Sequence, residues 1–276
     1  MMVQVIQASS VLLLAALGAL IAERAGVLNI GIEGMIAAGT FVAVAGVLLG
    51  LPPAAALVAT VAAGALLAGL FALFHLGLGA NPFIIGLAIN VLVAGVLPLA
   101  SSLLLGTRGA VRLDRPMFGP WVVVGAALLA VGVAEVLLRS TTFGLRLTIA
   151  GQEPEWLRVN AIAVEPYRAT ALIVSGVLAA FAGGLLALRL GAYVPGLAGG
   201  RGWIALVLLY LGYRRPLGLV IAAPFFGLVD ALATSAQGAI GVSPTLLLAL
   251  PYVLTVVAFV SYSAITRRQA HRQQAE

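Results

Sequence analysis

Two residue types are missing from this 276-residue chain, which contains no cysteine and no lysine. Without cysteine there is no disulfide, no thiolate metal site and no cysteine nucleophile. Without lysine there is no phosphate-binding G-x-x-x-x-G-K-[ST] loop, which excludes ATP hydrolysis by that route. Histidine is scarce as well, since His75 and His271 are the only two, and no Ser/His/Asp or metal-binding constellation is evident. These absences argue against an enzyme.

Charge is also in short supply. Only 9% of the residues are charged, whereas 62% are hydrophobic, and the mean hydropathy is +1.16. Apolar runs recur from one end of the chain to the other, far beyond what one soluble core would need. The 33 glycines suit helices that approach closely in lipid. The sequence therefore predicts an all-α, polytopic integral membrane protein that contacts membrane lipid.

The net charge of +6 does not indicate a nucleic-acid partner. All fifteen positive charges are arginines, and they are spread over short segments between apolar runs. If residues 139–168 are cytoplasmic, most arginines fall on the cytoplasmic side. We expect a transmembrane domain over 1–266 and a short basic cytoplasmic tail over 267–276. The first apolar run lacks a basic region before it, so no cleavable signal is expected.

We expect about nine transmembrane helices, with eight to ten as the range, because each needs about 20 apolar residues to cross the hydrocarbon core. The candidate 203–212 is too short, since a helix rises only about 1.5 Å per residue. Either the glycine-rich stretch before it lengthens this helix, or it is a discontinuous half-helix whose ends are covered by protein or water. The candidate spans are 5–22, 31–50, 54–78, 83–105, 120–138, 168–190, 203–212, 216–233 and 245–263.

A polar stretch containing glycines, ERAGVLNIGIEGM at 23–35, separates the first two apolar runs. An ionised carboxylate in mid-membrane would cost about 2.5–3.5 kcal/mol, so Glu33 should face a cavity or a partner. Asn29 and Glu33 therefore either line a polar path or form hydrogen bonds between helices. Asn90, which lies inside the fourth apolar run, has the same two alternatives.

Other charged side chains fall at the ends of apolar runs. Glu23 and Arg24 are expected to anchor the first run at the membrane edge. In the expected topology, Arg189, Arg201 and Asp230 all fall near the outer ends of their spans. They form either an ion pair between helices or an outer mouth that contacts a substrate-binding protein.

The longest polar stretch is 139–168. Gly151 is expected to break the chain there, and Pro154 suits the first turn of a new helix. In that short helix Trp156 and Leu157 are apolar, whereas their neighbours include charged side chains. The pattern indicates either a helix that lies on the lipid surface or one that docks into a groove on a cytoplasmic partner.

Three blocks of the sequence resemble permease subunits of bacterial ATP-binding-cassette importers for nucleosides and simple sugars. The first block is ERAGVLNIGIEGM (23–35), and the second is FGLRLTIAGQEP followed by SGVLAAFAGGLLAL (143–188). The third is GRGWIALVLLYLGYRRPLG leading to LPYVLTVV (200–257). The blocks occur in the family's order and cover nearly the whole chain. The superfamily also includes ribose and branched-chain amino-acid permeases.

The resemblance implies a passive gate in the bacterial cytoplasmic (inner) membrane, driven by separate subunits. An ABC ATPase binds ATP and Mg²⁺, so this chain binds no cofactor itself. The other expected partners are a second permease, as a heterodimer or a homodimer, and an extracytoplasmic substrate-binding protein. ATP-driven closure of the ATPase dimer would move a coupling helix at 151–162 and switch the membrane helices between two openings. The implied coupling residues are Gly151, Gln152, Glu153, Pro154, Glu155, Trp156 and Arg158.

The coupling segment departs from the family's usual sequence. Glu153 stands where an asparagine is common, and Trp156 and Leu157 replace a pair of alanines. Ala161 and Ala163 replace a usual glycine and asparagine. Docking on an ATPase is still expected, but the resemblance does not define the individual contacts.

The sequence of the first block resembles the nucleoside branch of the superfamily more than the ribose or branched-chain amino-acid branches. This resemblance favours purine or pyrimidine nucleosides as the substrate. A path of asparagine, hydroxyl and backbone groups fits a nucleoside, and it fits other sugars too. The alternative is an ion-gradient-driven secondary transporter of a small polar solute. That reading needs a relay of titratable groups, and Glu33, Glu135 and Asp230 are too scattered to form an evident one.

Overall fold

The structure, a computed structural model, describes residues 2–236, with side chains up to residue 232. The expected span 245–263 and the tail 267–276 lie outside the described residues. The described part is helical apart from its connections and one two-stranded ladder. Its helices are α1 (Met2–Arg24), α2 (Ile32–Leu48), α3 (Pro53–Ala72, continued by a π-helical turn Leu73–Gly77), α4 (Pro82–Leu105), α5 (Pro120–Ser140), α6 (Thr142–Gln152), α7 (Pro154–Val159), α8 (Glu165–Leu190), α9 (Arg201–Leu211) and α10 (Pro216–Ala236).

The prediction of an all-α membrane fold is confirmed. Each of the first eight expected spans has a helix at its position, and five of these helices are long and apolar enough to cross a membrane: α1, α3 with its π-helical turn, α4, α5 and α8. The other three, α2, α9 and the apolar part of α10, are shorter. The described residues therefore do not establish the expected count of nine.

Two of the shorter helices, α2 and α9, each follow a stretch of non-helical backbone. Helix α2 has 17 residues, and the chain before it, 25–31, is not helical. Helix α9 has 11 residues, and the glycine-rich stretch before it forms turns rather than extending the helix. Of the two alternatives for 203–212, the discontinuous half-helix is therefore the one observed. Gly199 and Gly200 have φ of 56° and 78°, which are left-handed values that interrupt a helix and suit glycine.

Helices α1 and α8 form the centre of the fold. In the apolar stretch of α1, 83% of the residues are buried, against 22% in α4 and 22% in α5. Helix α8 packs against α1, α2 and α3. Large apolar side chains such as Val91 and Leu103 are exposed on α4, which is the expected arrangement for a helix that faces lipid.

Small residues let the central helices touch backbone to backbone. A Cβ added to Gly183 of α8 would overlap the carbonyl of Ile36 on α2. A Cβ added to Gly176 of α8 would lie 2.5 Å from Cβ of Ala68 and 2.6 Å from the carbonyl oxygen of Gly64, both on α3. In lipid, where burying apolar surface gives little net gain between helices, such close packing supplies much of the attraction.

The two ends of the helix bundle differ. At one end, the connection between α1 and α2 meets the α6–α7 region and the turn between α9 and α10. At the other end, β1 (Val111–Arg112) pairs with β2 (Ala192–Tyr193) in an antiparallel ladder. The placement of the arginines predicts that the first end faces the cytoplasm.

Candidate functional site

The polar stretch at 23–35 is a break between two helices. Helix α1 ends at Arg24, residues 25–31 form turns and irregular backbone, and α2 begins at Ile32. Most of this irregular backbone lies inside the protein, where Ile30 and Gly31 are buried, while Gly26 is exposed. Irregular backbone at membrane depth must have its polar groups satisfied by protein or by water.

Asn29 forms some of the hydrogen bonds that this irregular segment needs. Its side chain is 0% exposed. The amide Nδ2 donates to Oγ of Ser175 on α8 at 3.0 Å and to Sδ of Met35 at 3.4 Å, and Oδ1 accepts from the backbone N–H of Gly31 at 3.0 Å. Asn29 thus joins the broken segment to α8 by a hydrogen bond, which agrees better with the hydrogen-bonding alternative than with path lining.

Asn90 binds the same broken segment from α4. Its Nδ2 donates to the carbonyl of Ile30 at 2.9 Å, and its Oδ1 accepts from the N–H of Gly34 at 2.7 Å. Both backbone groups lie where α2 begins, so this amide replaces bonds that a continuous helix would have made for itself.

Glu33 caps a second broken helix. Its Oε1 accepts from the N–H of Gly200 at 2.8 Å, and its Oε2 accepts from the N–H of Gly202 at 2.7 Å. These donors belong to the N-terminus of α9, where backbone N–H groups lack partners within the helix and the helix dipole favours a negative charge. The approach requires glycine, because a Cβ on Gly202 would lie 2.5 Å from the backbone nitrogen of Glu33.

A cavity of about 250 Å³ lies beside this capped junction. Its polar side chains are Glu33, Asn90 and Tyr193, and the apolar wall includes Leu97 and Pro195. The structure therefore brings Glu33 and Asn90 together at one cavity, whereas the third predicted path residue, Asn29, is not among the lining residues.

Tyr193 is a lining residue that the sequence did not indicate. It lies in β2, and its ring packs edge-on against Phe41 with centroids 5.3 Å apart. Burial raises the pKa of the Tyr193 phenol above its ordinary value, so the hydroxyl stays protonated at neutral pH. The only sequence signal is an aromatic residue just before a glycine- and proline-containing connection, which is too common to single it out.

A second cavity, of about 380 Å³, lies between α1, α5, α6 and α8. Thr170 is the one polar side chain in its lining, which is otherwise formed by residues such as Leu17, Leu137 and Phe181. A hydroxyl-rich solute needs several convergent polar groups. We therefore assign the candidate transport site to the smaller cavity beside Glu33.

Arg201 and Asp230 form an ion pair between α9 and α10. Nη2 of Arg201 lies 3.1 Å from Oδ2 of Asp230, and the same guanidinium donates to the carbonyl of Leu197 at 3.0 Å. Arg189, on α8, does not belong to that ion pair, and its buried Nε has no hydrogen-bond partner among the described residues. The structure therefore contains the expected interhelical pair, with two of the three predicted residues in it.

The predicted break at Gly151 is wrong by two residues. Gly151 lies inside α6, which runs to Gln152, and the break falls at Glu153, whose φ is −137°. The cause is Pro154, because the proline ring excludes the helical conformation from the residue before it. Pro154 then starts α7.

Helix α7 has one buried side and one exposed side. Leu157 is 0% exposed and packs with Ala150 and Val164, whereas Trp156 is 52% exposed. Arg158 forms an ion pair with Glu155 one turn away. The amphipathic pattern predicted for this helix is present, and an exposed tryptophan remains on its outer side.

Glu23 and Arg24, which were expected to anchor α1 at the membrane edge, also bind the turn that follows α9. The carboxylate of Glu23 pairs with the guanidinium of Arg214, with Oε1 at 2.5 Å from Nη2. Nη2 of Arg24 donates to the carbonyl of Arg214 at 2.8 Å. Tyr213 and Arg214 have φ of 52° and 54°, which is strained for residues with side chains, so these bonds help to hold the turn after α9.

Comparison with known proteins was informative for nearly the whole chain. The family described as "Branched-chain amino acid transport system / permease component" matches residues 1–259. A Haloferax volcanii protein provisionally assigned as the glucose ABC transporter permease TsgC13 is 33% identical, over 94% of this chain and 90% of its own length. The guanosine ABC transporter permease NupQ of Bacillus subtilis is 30% identical, over 91% of this chain and 88% of its own length.

Two further matches agree with these. The nucleoside ABC transporter permease NupC of Lactococcus lactis is 26% identical, over 90% of this chain and 87% of its own length. A solved structure of an inward-facing ABC transporter, provisionally assigned to the metal-chelate type, shares the fold at 16% identity, with a TM-score of 0.59 over 94% of this chain and 85% of that chain. The chain belongs to the family of branched-chain amino-acid transport system permease components, and it is a membrane transport subunit rather than an enzyme.

Proposed function

We propose that this chain is the permease subunit of an ATP-binding-cassette importer and that it forms the path for nucleosides or related simple sugars. Two of the similar proteins are named for guanosine and nucleoside transport and one for glucose. These names support a neutral, hydroxyl-rich substrate. Transport would follow alternating access, powered by ATP and Mg²⁺ at a separate ATPase subunit.

The observation that carries the proposal is the cavity at the junction of two broken helices. Its lining includes Asn90 and Tyr193, two side chains with hydrogen-bonding groups, together with apolar side chains. Its one carboxylate, Glu33, already accepts two backbone hydrogen bonds. Such a lining suits an uncharged solute with a flat apolar face and several hydroxyl or amide groups.

A coupling role for residues 151–162 is supported by the surface of α7. Trp156 and Val159 are 52% and 86% exposed on a helix that is anchored to the protein through Leu157. Tryptophan and arginine are enriched among the residues that contribute most to binding at protein–protein interfaces, and this helix also carries Arg158. We propose that Gly151, Gln152, Glu153, Pro154, Glu155, Trp156 and Arg158 form or support the contact with the ATPase.

The proposed assembly lies in the cytoplasmic membrane and has four kinds of component. The ATPase binds at the end that carries α7, and a second permease lies beside this one as a homologous or identical chain. An extracytoplasmic binding protein would meet the opposite end, near Arg189, Arg201 and Asp230. The arginine side chains there are partly exposed, and a cation can pair with acidic groups on such a partner.

The test is purification of the tagged chain from native membranes with mass spectrometry of what accompanies it. We expect an ATPase subunit and a second permease with the native chain. Trp156→Arg should lose the ATPase about tenfold or more, because truncating an interface tryptophan commonly costs at least about 2 kcal/mol. The matched control is Trp121→Arg, at an exposed tryptophan of α5, which should retain the ATPase. Recovery of the chain alone would contradict the importer proposal.

The substrate class is tested separately with the reconstituted assembly. Labelled nucleoside uptake is measured in competition with unlabelled nucleosides, pentoses, glucose and branched-chain amino acids. We expect competition from nucleosides at the lowest concentrations. Competition by glucose alone would move the assignment to sugars, and competition by amino acids alone would contradict both.

A further inference from the structure

The broken segment 25–31 touches the coupling region directly, backbone against backbone. A Cβ added to Gly26 would lie 2.9 Å from Cα of Gly151, and one added to Gly151 would lie 2.7 Å from the nitrogen of Gly26. No side chain separates these two segments of backbone at this point. Because packed backbones have little compressibility, a displacement of the end of α6 reaches Gly26 without being absorbed.

Arg168, in the first turn of α8, binds both sides of this contact. Its Nη2 donates to the carbonyl of Ala150 at 3.0 Å, and its Nε donates to the carbonyl of Ala25 at 3.3 Å. The carbonyl of Ala150 needs an outside donor, because the residue four positions later is Pro154, which has no N–H. The carbonyl of Ala25 directly follows the end of α1. Both are C-terminal helix positions, where a cation is favoured.

The same stretch of chain holds both ends of α9. Glu33 binds the N-terminus of α9 through Gly200 and Gly202. Glu23 and Arg24 bind Arg214 in the turn that follows α9. A shift of residues 23–33 is therefore passed to α9 at both of its ends, and Glu33 itself lines the candidate transport cavity.

We propose that Gly26, Gly151 and Arg168 form a transmission joint, which carries movement of the coupling segment to the broken segment and, through Glu33, to α9. This proposal rests on the proposed function, because it requires an ATPase that moves α7. Arg168 is a positioning residue in it, since it does not line the candidate transport cavity and its hydrogen bonds go to Ala25 and Ala150. Its guanidinium keeps the ends of α1 and α6 together while both move.

The joint is tested with the full transporter, reconstituted with its ATPase and binding protein, by measuring uptake and ATP hydrolysis in the same vesicles. Arg168→Gln removes the charge-assisted hydrogen bonds to two carbonyls. We expect the amount of nucleoside transported per ATP hydrolysed to fall about tenfold, which corresponds to the loss of about one such bond. The ATPase subunit should still co-purify, because Arg168 is not on the surface proposed to contact it.

Two variants make the result specific. Arg168→Lys keeps a cation that can reach one carbonyl, so we expect transport per ATP to lie between the native value and that of Arg168→Gln. Arg146→Gln is the matched control, because it removes an arginine of α6 whose hydrogen bond goes to Tyr167. Its transport per ATP should stay at the native value.

Several outcomes would overturn the joint. One is that Arg168→Gln transports as much nucleoside per ATP hydrolysed as the native protein. This includes the case in which the uptake rate and the hydrolysis rate fall by the same factor. Should Arg168→Gln fail to accumulate in membranes, Arg168→Lys decides, and a native ratio there overturns the proposal. Absence of an ATPase from the native preparation is a different result, since it contradicts the proposed function before the joint is reached.

Discussion

At the scale of single residues, the polar side chains inside the membrane are explained by what they bind. Asn29, Asn90 and Glu33 each hydrogen-bond backbone groups that a broken helix leaves unpaired. The sequence predicted that these side chains need partners, because unpaired polar groups are costly in a membrane. It could not predict the partners, since these are backbone atoms whose exposure depends on where a distant helix stops.

Glu33→Gln tests the capping of α9. An amide can accept from only one of the two N–H groups, and its own NH₂ then faces the other donor. We expect the unfolding free energy to fall by about 1–3 kcal/mol, measured as the loss of stability of the purified protein in detergent. The control is Glu165→Gln, at a side chain that is 56% exposed, where a change within about 0.5 kcal/mol is expected. Equal effects of the two variants would argue that the capping is unimportant.

Gly202→Ala tests the close approach of α9 to Glu33. The added methyl group would lie 2.5 Å from the nitrogen of Glu33, so the helix has to move away and lengthen both capping bonds. We expect a destabilisation of about 1–3 kcal/mol and reduced uptake. Gly132→Ala is the matched control, because its Cβ meets no other atom within 4 Å, and alanine in an open helix position is neutral to stabilising by about 1 kcal/mol. Native stability in Gly202→Ala would contradict the geometry described here.

At the scale of elements, helix lengths and starts were predictable and helix breaks were only partly so. Prolines at the first positions of α3, α4, α5 and α7 mark helix starts that hydrophobicity and proline chemistry indicate together. The shortness of α9 was also predictable, because the apolar run at 203–212 has only ten residues. The sequence predicts a break at Gly151, because glycine is a common helix end. The observed break is at Glu153, because Pro154 disfavours the helical conformation in the residue before it.

The end of α7 carries a strained alanine. The N–H of Ala161 donates to the carbonyl of Arg158 at 3.0 Å, and the N–H of Ile162 donates to that of Leu157 at 2.9 Å. This pair of bonds is the Schellman motif, which places its C′ residue in the left-handed region and favours glycine there. Ala161 is that residue, with φ of 57°. Glycine is usual at this position in the family that the sequence resembles.

Ala161→Gly should therefore stabilise the end of α7. The left-handed conformation costs an alanine about 1–2 kcal/mol, and part of this gain is offset by the greater entropy of glycine in the unfolded chain. We expect a net gain of up to about 1 kcal/mol, measured as slower amide exchange over 154–162. Ala163→Gly is the control, since Ala163 lacks a positive φ, and it should leave exchange unchanged or faster. Faster exchange in Ala161→Gly would contradict the assignment of strain.

At the scale of the whole molecule, composition was enough for the membrane class, whereas the expected transport role depended on three blocks of sequence. The connection between these blocks became visible only in the structure. Residues 23–33 touch the α6–α7 region at Gly151, both ends of α9, and the cavity lined by Glu33 and Asn90. The contacts with Gly151 and with α9 join positions that are more than a hundred residues apart, which periodicity and local propensity do not report.

The most direct test of the account is uptake by the purified assembly in vesicles, with ATP, with a non-hydrolysable ATP analogue, and with imposed proton or sodium gradients. The account predicts that nucleoside accumulates only when ATP is hydrolysed, that dissipating both gradients changes nothing, and that Trp156→Arg abolishes accumulation. Accumulation that follows a proton or sodium gradient and ignores ATP would contradict it and would make this chain a secondary transporter.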